Sequence, residues 1–119
     1  MSLTAVESLL FGDLDFENSA AMVGDFAFAD GAVTVDIVAV PQKLAVAKAR
    51  FEHATMTSFW VDPQDPAEWP LDIIGFDCYP QGDRWKFVLN CGTTEWCWES
   101  NWPVLINEAP DSERVTDKA

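Results

Sequence analysis

Apart from its carboxylates, this chain has few residues able to carry acid–base or nucleophilic chemistry. His53 is the only histidine, so a Cys–His or Ser–His catalytic pair would have to use it as the general base. It follows Ala49 and Phe51 at alternate positions, which predicts that it packs on the apolar face of a strand. No nucleophile elbow of the G-x-S-x-G kind occurs. We therefore expect a protein that is not an enzyme.

The twenty carboxylates leave one enzymatic alternative open, a hydrolase that uses two acids. Their number makes chance pairs easy, so spacing along the chain identifies no particular pair. The sequence names no catalytic residue.

Metal and cofactor motifs are absent from the sequence. Three cysteines are present: Cys78, Cys91 and Cys97. Their odd number and their spacing fit neither a CxxC pair nor a zinc ribbon, and reduced thiols in the cytoplasm are the simplest account. A calcium loop starting at Asp13 would need Gly and Glu where Asn18 and Gly24 stand. With no glycine-rich phosphate loop either, we expect no cofactor and no metal.

Negative charge is the strongest compositional signal. Twenty acids face seven Lys and Arg, for a net charge of −13. Residues 1–42 and 51–83 each contain seven acids and no base. Such a field repels nucleic acid, and it attracts basic partners and speeds their encounter. The alternative is that the charge only keeps the protein in solution.

The clearest candidate binding segment is residues 62–70, DPQDPAEWP, which form a loop with three prolines and three acids. The prolines stiffen the loop, which lowers the ordering cost of binding. Trp69 adds an aromatic anchor of the kind that dominates interfaces. The predicted partner-binding residues are Asp62, Asp65, Glu68, Trp69 and Asp72. In the simpler alternative the loop is solvated and Trp69 folds back onto the domain.

Two hairpins are predicted to position these residues. In the first, residues 22–40 turn at Asp30-Gly31, a two-residue signal for a type I′ turn. The register pairs Phe28 with Val33, Phe26 with Val35 and Gly24 with Ile37. The other face then sets Asp25 against Asp36, and two facing carboxylates should be solvated or bind a cation.

The second hairpin covers residues 84–100 and is rich in tryptophan. A turn at Cys91-Gly92 would pair Phe87 with Trp96, Trp85 with Trp98 and Arg84 with Glu99. Moving the turn by one residue keeps the same facing and pairs Lys86 with Glu99. Both registers give an aromatic ladder on one side and a charge pair on the other.

The remaining segments complete a mostly β (α+β) fold. Thr4 and Glu7 match a capping box, which predicts a short N-terminal helix over residues 4–11. Residues 44–53 suit a helix or a strand, and we favour a strand that continues through 55–61. Further strands are expected at 71–79 and, as an edge strand, at 102–106.

These elements predict an antiparallel meander sheet of about six or seven strands. They form one acidic domain, 1–107, followed by a flexible tail, 108–119. No apolar run is long enough to span a membrane.

Three segments together resemble the small acidic immunity proteins of bacterial polymorphic toxin systems. They are Ala-Arg-Phe-Glu-His-Ala around Phe51, Ile-Ile-Gly-Phe ending at Phe76, and the hairpin from Trp85 to Trp98. The resemblance covers about half the chain and implies a non-enzymatic inhibitor that binds a cognate toxin, often a basic nuclease. A small-ligand or carbohydrate-binding module that uses Trp residues for stacking is the alternative.

Overall fold

The computed structural model describes residues 4–12, 14, 17–40, 44–64 and 69–106, with 44 and 45 described for their backbone. The bounds are α1 Ala5–Phe11, β1 Ala20–Ala29, β2 Ala32–Val40, β3 Leu44–Phe51, β4 Thr55–Val61, β5 Leu71–Asp72, β6 Gly75–Gln81, β7 Arg84–Asn90, β8 Thr94–Ser100 and β9 Val104–Leu105. The mostly β prediction is confirmed. The predicted tail, 108–119, lies outside the described residues.

The described strands form two antiparallel sheets rather than one meander. One sheet has the order β5-β1-β2-β3-β9 and the other has the order β4-β8-β7-β6. The described residues form nine strands and not the predicted six or seven, because two segments predicted as continuous strands are each divided between the two sheets.

The core lies between the two sheets and contains a cluster of aromatic rings. Phe51 of β3 contacts Phe87 and Trp98 of the other sheet, with ring centroids 4.8 and 5.0 Å apart. Both Phe51 and Trp98 are fully buried. Edge-to-face contacts of this kind add to the hydrophobic gain from burial.

The first hairpin has the predicted register near its turn. Asp25 faces Asp36, Phe26 faces Val35 and Phe28 faces Val33. The predicted pair of Gly24 with Ile37 is wrong, because a β-bulge at Gly24 brings Val23 opposite Ile37. A Cβ on residue 24 would lie 3.0 Å from Val38 Cγ1, so the bulge suits a glycine.

A third strand balances the two facing carboxylates. Lys48 of β3 pairs with Asp36 across the sheet, and its Nζ lies 3.7 Å from Asp36 Oδ1. Asp25 is exposed to solvent. One acid is therefore solvated and the other has a lysine as its neighbour.

The second hairpin adopts the shifted register, in which Lys86 faces Glu99 and Phe87 faces Trp98. Cys91 N donates to Thr94 O at 2.8 Å, so Gly92 and Thr93 form the turn. Gly92 has φ +81°, a value that a glycine adopts without strain. The need for a positive φ at the first turn position decides between the two registers.

Helix α1 is confirmed together with its capping box. Thr4 Oγ1 accepts from Glu7 N, and Glu7 Oε1 accepts from Thr4 N. The same two side chains hold β6, since Thr4 Oγ1 donates to Phe76 O at 2.8 Å and Glu7 Oε2 accepts from Phe76 N at 3.2 Å. In the described part of the chain, no helix is long and apolar enough to cross a bilayer.

Two of the four crossings between the sheets, β3 to β4 and β5 to β6, were not predicted from the sequence. Residues 44–51 form a strand as favoured, but 55–61 belong to the other sheet. The single strand predicted at 71–79 is divided, since β5 pairs with β1 and β6 pairs with β7. Ile74 lies at this crossing, with 69% of its surface exposed. The predicted edge strand at 102–106 is present as β9, beside β3.

Candidate functional site

The turn between β7 and β8 brings together three of the five predicted site residues. Asp62 N donates to Thr93 O at 2.8 Å. Ile74, two residues after Asp72, donates through its N to Asn90 O at 2.8 Å, so Asp72 also lies near this turn. Burial, together with the charge of Asp72, raises the pKa of the Cys91 thiol to about 12. The Trp69 ring lies 6.1 Å from that of Trp96, just after the turn. Asp65 and Glu68 lie outside the described residues.

Trp69 is both folded back onto the domain and partly exposed, and so combines the two arrangements considered for it from the sequence. Its ring leans on Trp96 at an interplanar angle of 44°, so it does fold back onto the domain. Half of its surface nevertheless remains exposed. A tryptophan held in place and still open to solvent loses little side-chain entropy on binding.

Phe59 extends this aromatic site, although the sequence analysis did not select it. It faces Trp96 across the β4–β8 pair, with ring centroids 6.1 Å apart, and 60% of its surface is exposed. Consecutive residues in a strand point to opposite faces, so the adjacent aromatic residues Phe59 and Trp60 could have indicated that both faces of this strand are available for contacts. We call Phe59, Asp62, Trp69 and Asp72 the docking surface.

Trp96 supports the docking surface from below. It is 6% exposed, and Phe26 of the other sheet stacks on its inner side at 4.2 Å. Trp98 is fully buried and Trp85 packs against the core, so the three hairpin tryptophans do not line an open groove. Trp102 packs on Trp85, with ring centroids 4.8 Å apart.

The described basic residues lie on strands other than those of the docking surface. The structure describes four Lys and Arg residues: Lys48 and Arg50 on β3, and Arg84 and Lys86 on β7. Strands β4 and β5 carry none. The carboxylates of Asp62 and Asp72 therefore act with little local neutralisation.

Asp62 also shapes its loop. Its Oδ1 accepts from Gln64 N at 2.9 Å, the hydrogen bond of an Asx turn. The backbone bond to Thr93 holds the start of the same loop against the β7–β8 turn. The position of this carboxylate is thus fixed from both sides.

His53 lies at an open cleft and not on the apolar face predicted for it. It is exposed, has φ +55°, and follows the end of β3 where the chain turns toward the other sheet. Arg84 donates to His53 O and Ala54 N donates to Gly31 O, and these bonds hold the turn. The cleft has a volume of about 610 Å³ and is lined by Asp30, Gly31, Glu52, His53, Ala54, Thr55, Asp83, Arg84 and Asn101.

The thiols show no sign of activation. All three cysteines are free, and burial raises the pKa of each. A raised pKa leaves little thiolate, which is the nucleophilic form. Among the described residues, no group of three or more His, Cys, Asp and Glu side chains is arranged to hold a metal ion.

Comparison with known proteins gives a likeness of fold only. No protein-family model matches the chain, and no curated protein matches it. A solved structure, the crystal structure of an uncharacterized protein from Neisseria gonorrhoeae, is similar with a TM-score of 0.54 and 10% sequence identity. The match covers 72% of this chain and 89% of that one. At this identity the likeness establishes the fold and carries no function.

Proposed function

We propose that this chain is a non-enzymatic binding protein that docks a basic protein partner through the docking surface. The observation that carries the proposal is Trp69, half exposed and held on Trp96, with Asp62 and Asp72 at the adjoining turn. A rigid aromatic anchor supplies contact area, and the unneutralised acids steer a cationic partner.

An immunity protein that inhibits a basic toxin is the form of binding protein we favour. Such an inhibitor needs charge opposite to its target and a preformed surface, and it needs no catalytic group. The net charge of −13 and the well-supported Trp69 fit these needs. The free thiols suit a reducing compartment such as the cytoplasm.

The test uses two variants of equal net charge. Asp62→Lys/Asp72→Lys reverses charge on the docking surface, whereas Asp77→Lys/Asp83→Lys reverses two acids on β6 and in the turn after it. Each tagged protein is used to capture partners from the native host, and association with the captured protein is measured at several salt concentrations. We expect a basic protein that the wild type and the control bind alike.

The docking-surface variant should associate about tenfold more slowly and with a flatter salt dependence, since electrostatic steering sets such rates. Equal rates for the two variants would show that this surface does not bind the partner. A captured protein without excess positive charge would contradict the proposal as a whole.

The cleft at His53 supports a second candidate, a site for a small polar ligand. Arg84, His53 and the carboxylates of Asp30, Glu52 and Asp83 line it, and a carboxylate-based hydrolase would use the same place. Titrating a carbohydrate panel while following the His53 ring by NMR tests the first use. Turnover lost in Glu52→Gln would indicate the second.

A further inference from the structure

Strand β4 has one edge with which no other described strand pairs. In the described part of the chain it pairs with β8 on one side and lies at the end of its sheet. Alternate residues of an edge strand direct their N–H and C=O groups away from the sheet. Such an edge can accept a further strand.

The other described edges are short or carry a charge or a proline, whereas β4 is longer and carries neither. β5 and β9 have two residues each and pair with only part of β1 and β3, whose remaining residues include Asp25 and Lys48. β6 carries Asp77 and Pro80. The seven residues of β4, TMTSFWV, include no charge and no proline, and six of them are exposed. Natural proteins usually place charges, prolines or covering segments at such edges. A bulge between Met56 and Ser58 is the one protective feature of β4.

The two faces of β4 would meet different side chains of an added strand. On the inner face, Phe59 adjoins Trp96, and Trp69 lies against the same ring. On the outer face, Trp60 is half exposed and faces Glu95 of β8. An added strand would therefore place apolar residues beside Phe59 and cationic residues beside Trp60.

Charge also favours a basic segment at this edge. Asp62 lies just after the strand, and Glu95 faces Asn90 on its far side, with no lysine or arginine opposite it. Glu52, before the strand, is already paired with Arg50 and adds little to this charge. An added strand would lie ~10 Å from β8, two strand spacings away. A lysine or arginine side chain spans much of that distance and can also lie over the Trp60 ring.

We propose that β4 binds an extended basic segment of the partner by β-strand addition. The segment alternates apolar residues, which pack beside Phe59, with Lys or Arg residues, which lie over Trp60 toward Glu95. This inference rests on the proposed function, since it names how the basic partner docks. A second copy of this chain is a poor occupant, because each copy carries a net charge of −13.

A peptide pair isolates the main-chain contribution. The probe is a capped peptide alternating lysine and valine, KVKVKVK, and its control has the same sequence with N-methyl groups on the valines. A second control carries the methyl groups on the lysines, because either set can face β4. We expect the affinity of one methylated peptide to be lower than that of the parent by ~30-fold or more. It loses several hydrogen bonds, and each of them contributes at most about tenfold to the affinity.

A variant pair isolates the side-chain contribution. Trp60→Ala on β4 is compared with Tyr79→Ala on β6, whose exposed fraction is 52% against 50% for Trp60. We expect Trp60→Ala to weaken the binding of the parent peptide about fivefold, which is the contribution of a partly desolvated cation–π contact. Tyr79→Ala should leave the affinity unchanged. Amide hydrogen exchange in residues 55–61 should slow when the peptide is bound.

The outcomes separate this inference from the proposed function. Equal binding by all three peptides, or exchange that is unchanged in β4, overturns strand addition while leaving charge-based docking intact. A parent peptide that does not bind also overturns it, and the charge-reversal variants then decide the proposed function independently. A dimer of the free protein in sedimentation that Trp60→Lys dissociates would assign the edge to a second copy and overturn the inference.

Discussion

Phe26 and Trp96 stack across the two sheets, with ring centroids 4.2 Å apart and planes inclined by 12°. Phe26 belongs to β1 and Trp96 to β8, so the contact joins the sheets directly beneath the docking surface. Phe59 and Trp69 both lean on the outer part of Trp96. The position of the exposed aromatic residues therefore depends on a contact made by a residue of the opposite sheet.

Replacing Phe26 tests this dependence. We expect Phe26→Ala to lower the free energy of unfolding by about 2–3 kcal/mol, since a half-buried ring and its stacking are lost. Phe28→Ala, two residues along the same strand, should cost less than ~1 kcal/mol because nearly half of that ring is exposed. Urea unfolding measures both. Equal losses would show that the stack contributes nothing beyond burial.

The Cys91 thiol predicts a dependence of stability on alkaline pH. Its pKa rises from 9.0 to about 12 on folding, so above pH 9 the unfolded state loses a proton that the folded state keeps. Stability should then fall by about 1.4 kcal/mol per pH unit between the two pKa values. We expect Cys91→Ala to remove this part of the slope in urea unfolding from pH 8 to 11. Identical slopes for the two proteins would contradict the buried, protonated thiol.

Glu7 should contribute more to stability than its place in a short helix suggests. Its carboxylate accepts hydrogen bonds from Thr4 N and from Phe76 N, so it both caps α1 and attaches β6 to the helix. We expect Glu7→Ala to cost about 2–3 kcal/mol, because two donors lose their acceptor. Ser8→Ala, at an exposed position of the same helix, serves as the control. A loss confined to helix signal by circular dichroism, with unchanged unfolding, would contradict the tie to β6.

Because Asp25 and Asp36 carry like charges, replacing one of them should raise the stability of the protein by an amount that depends on salt. Asp25→Lys places a cation opposite Asp36 and should stabilise the protein by a few tenths of a kcal/mol at low salt. Asp77→Lys changes the net charge equally but faces Val88. We expect the difference between the two variants to disappear in 0.5 M salt, where the Debye length falls below ~5 Å. A difference that persists would point to packing and not to charge.

Local turn chemistry made parts of this fold predictable. The Asp30-Gly31 turn and the alternation beside it placed Phe26 opposite Val35, and the capping box placed α1. Neither signal could reveal that β3 and β4 lie in different sheets, because the same alternation suits either sheet. His53 was misplaced for that reason, since the crossing turns it into solvent.

The candidate site was predictable only in part. Composition pointed to Trp69 and its neighbouring acids, and the structure brings Asp62 and Asp72 to one turn. Phe59 was missed because its exposure follows from β4 being an edge strand. Which strand ends a sheet depends on partners distant in the chain, and residue types along one segment do not encode that.

The pairing of β4 with β8 also sets the order in which the protein can fold as it is synthesised. Strands β1 to β3 pair with their immediate neighbours in the chain, so they can assemble early. β4 must wait until residues 94–100 leave the ribosome, about a few seconds at usual rates of translation. During that interval an uncharged strand is exposed on a nascent chain whose residues 1–42 and 51–83 contain acids and no bases. Repulsion between neighbouring nascent chains would then protect β4 before its own partner exists.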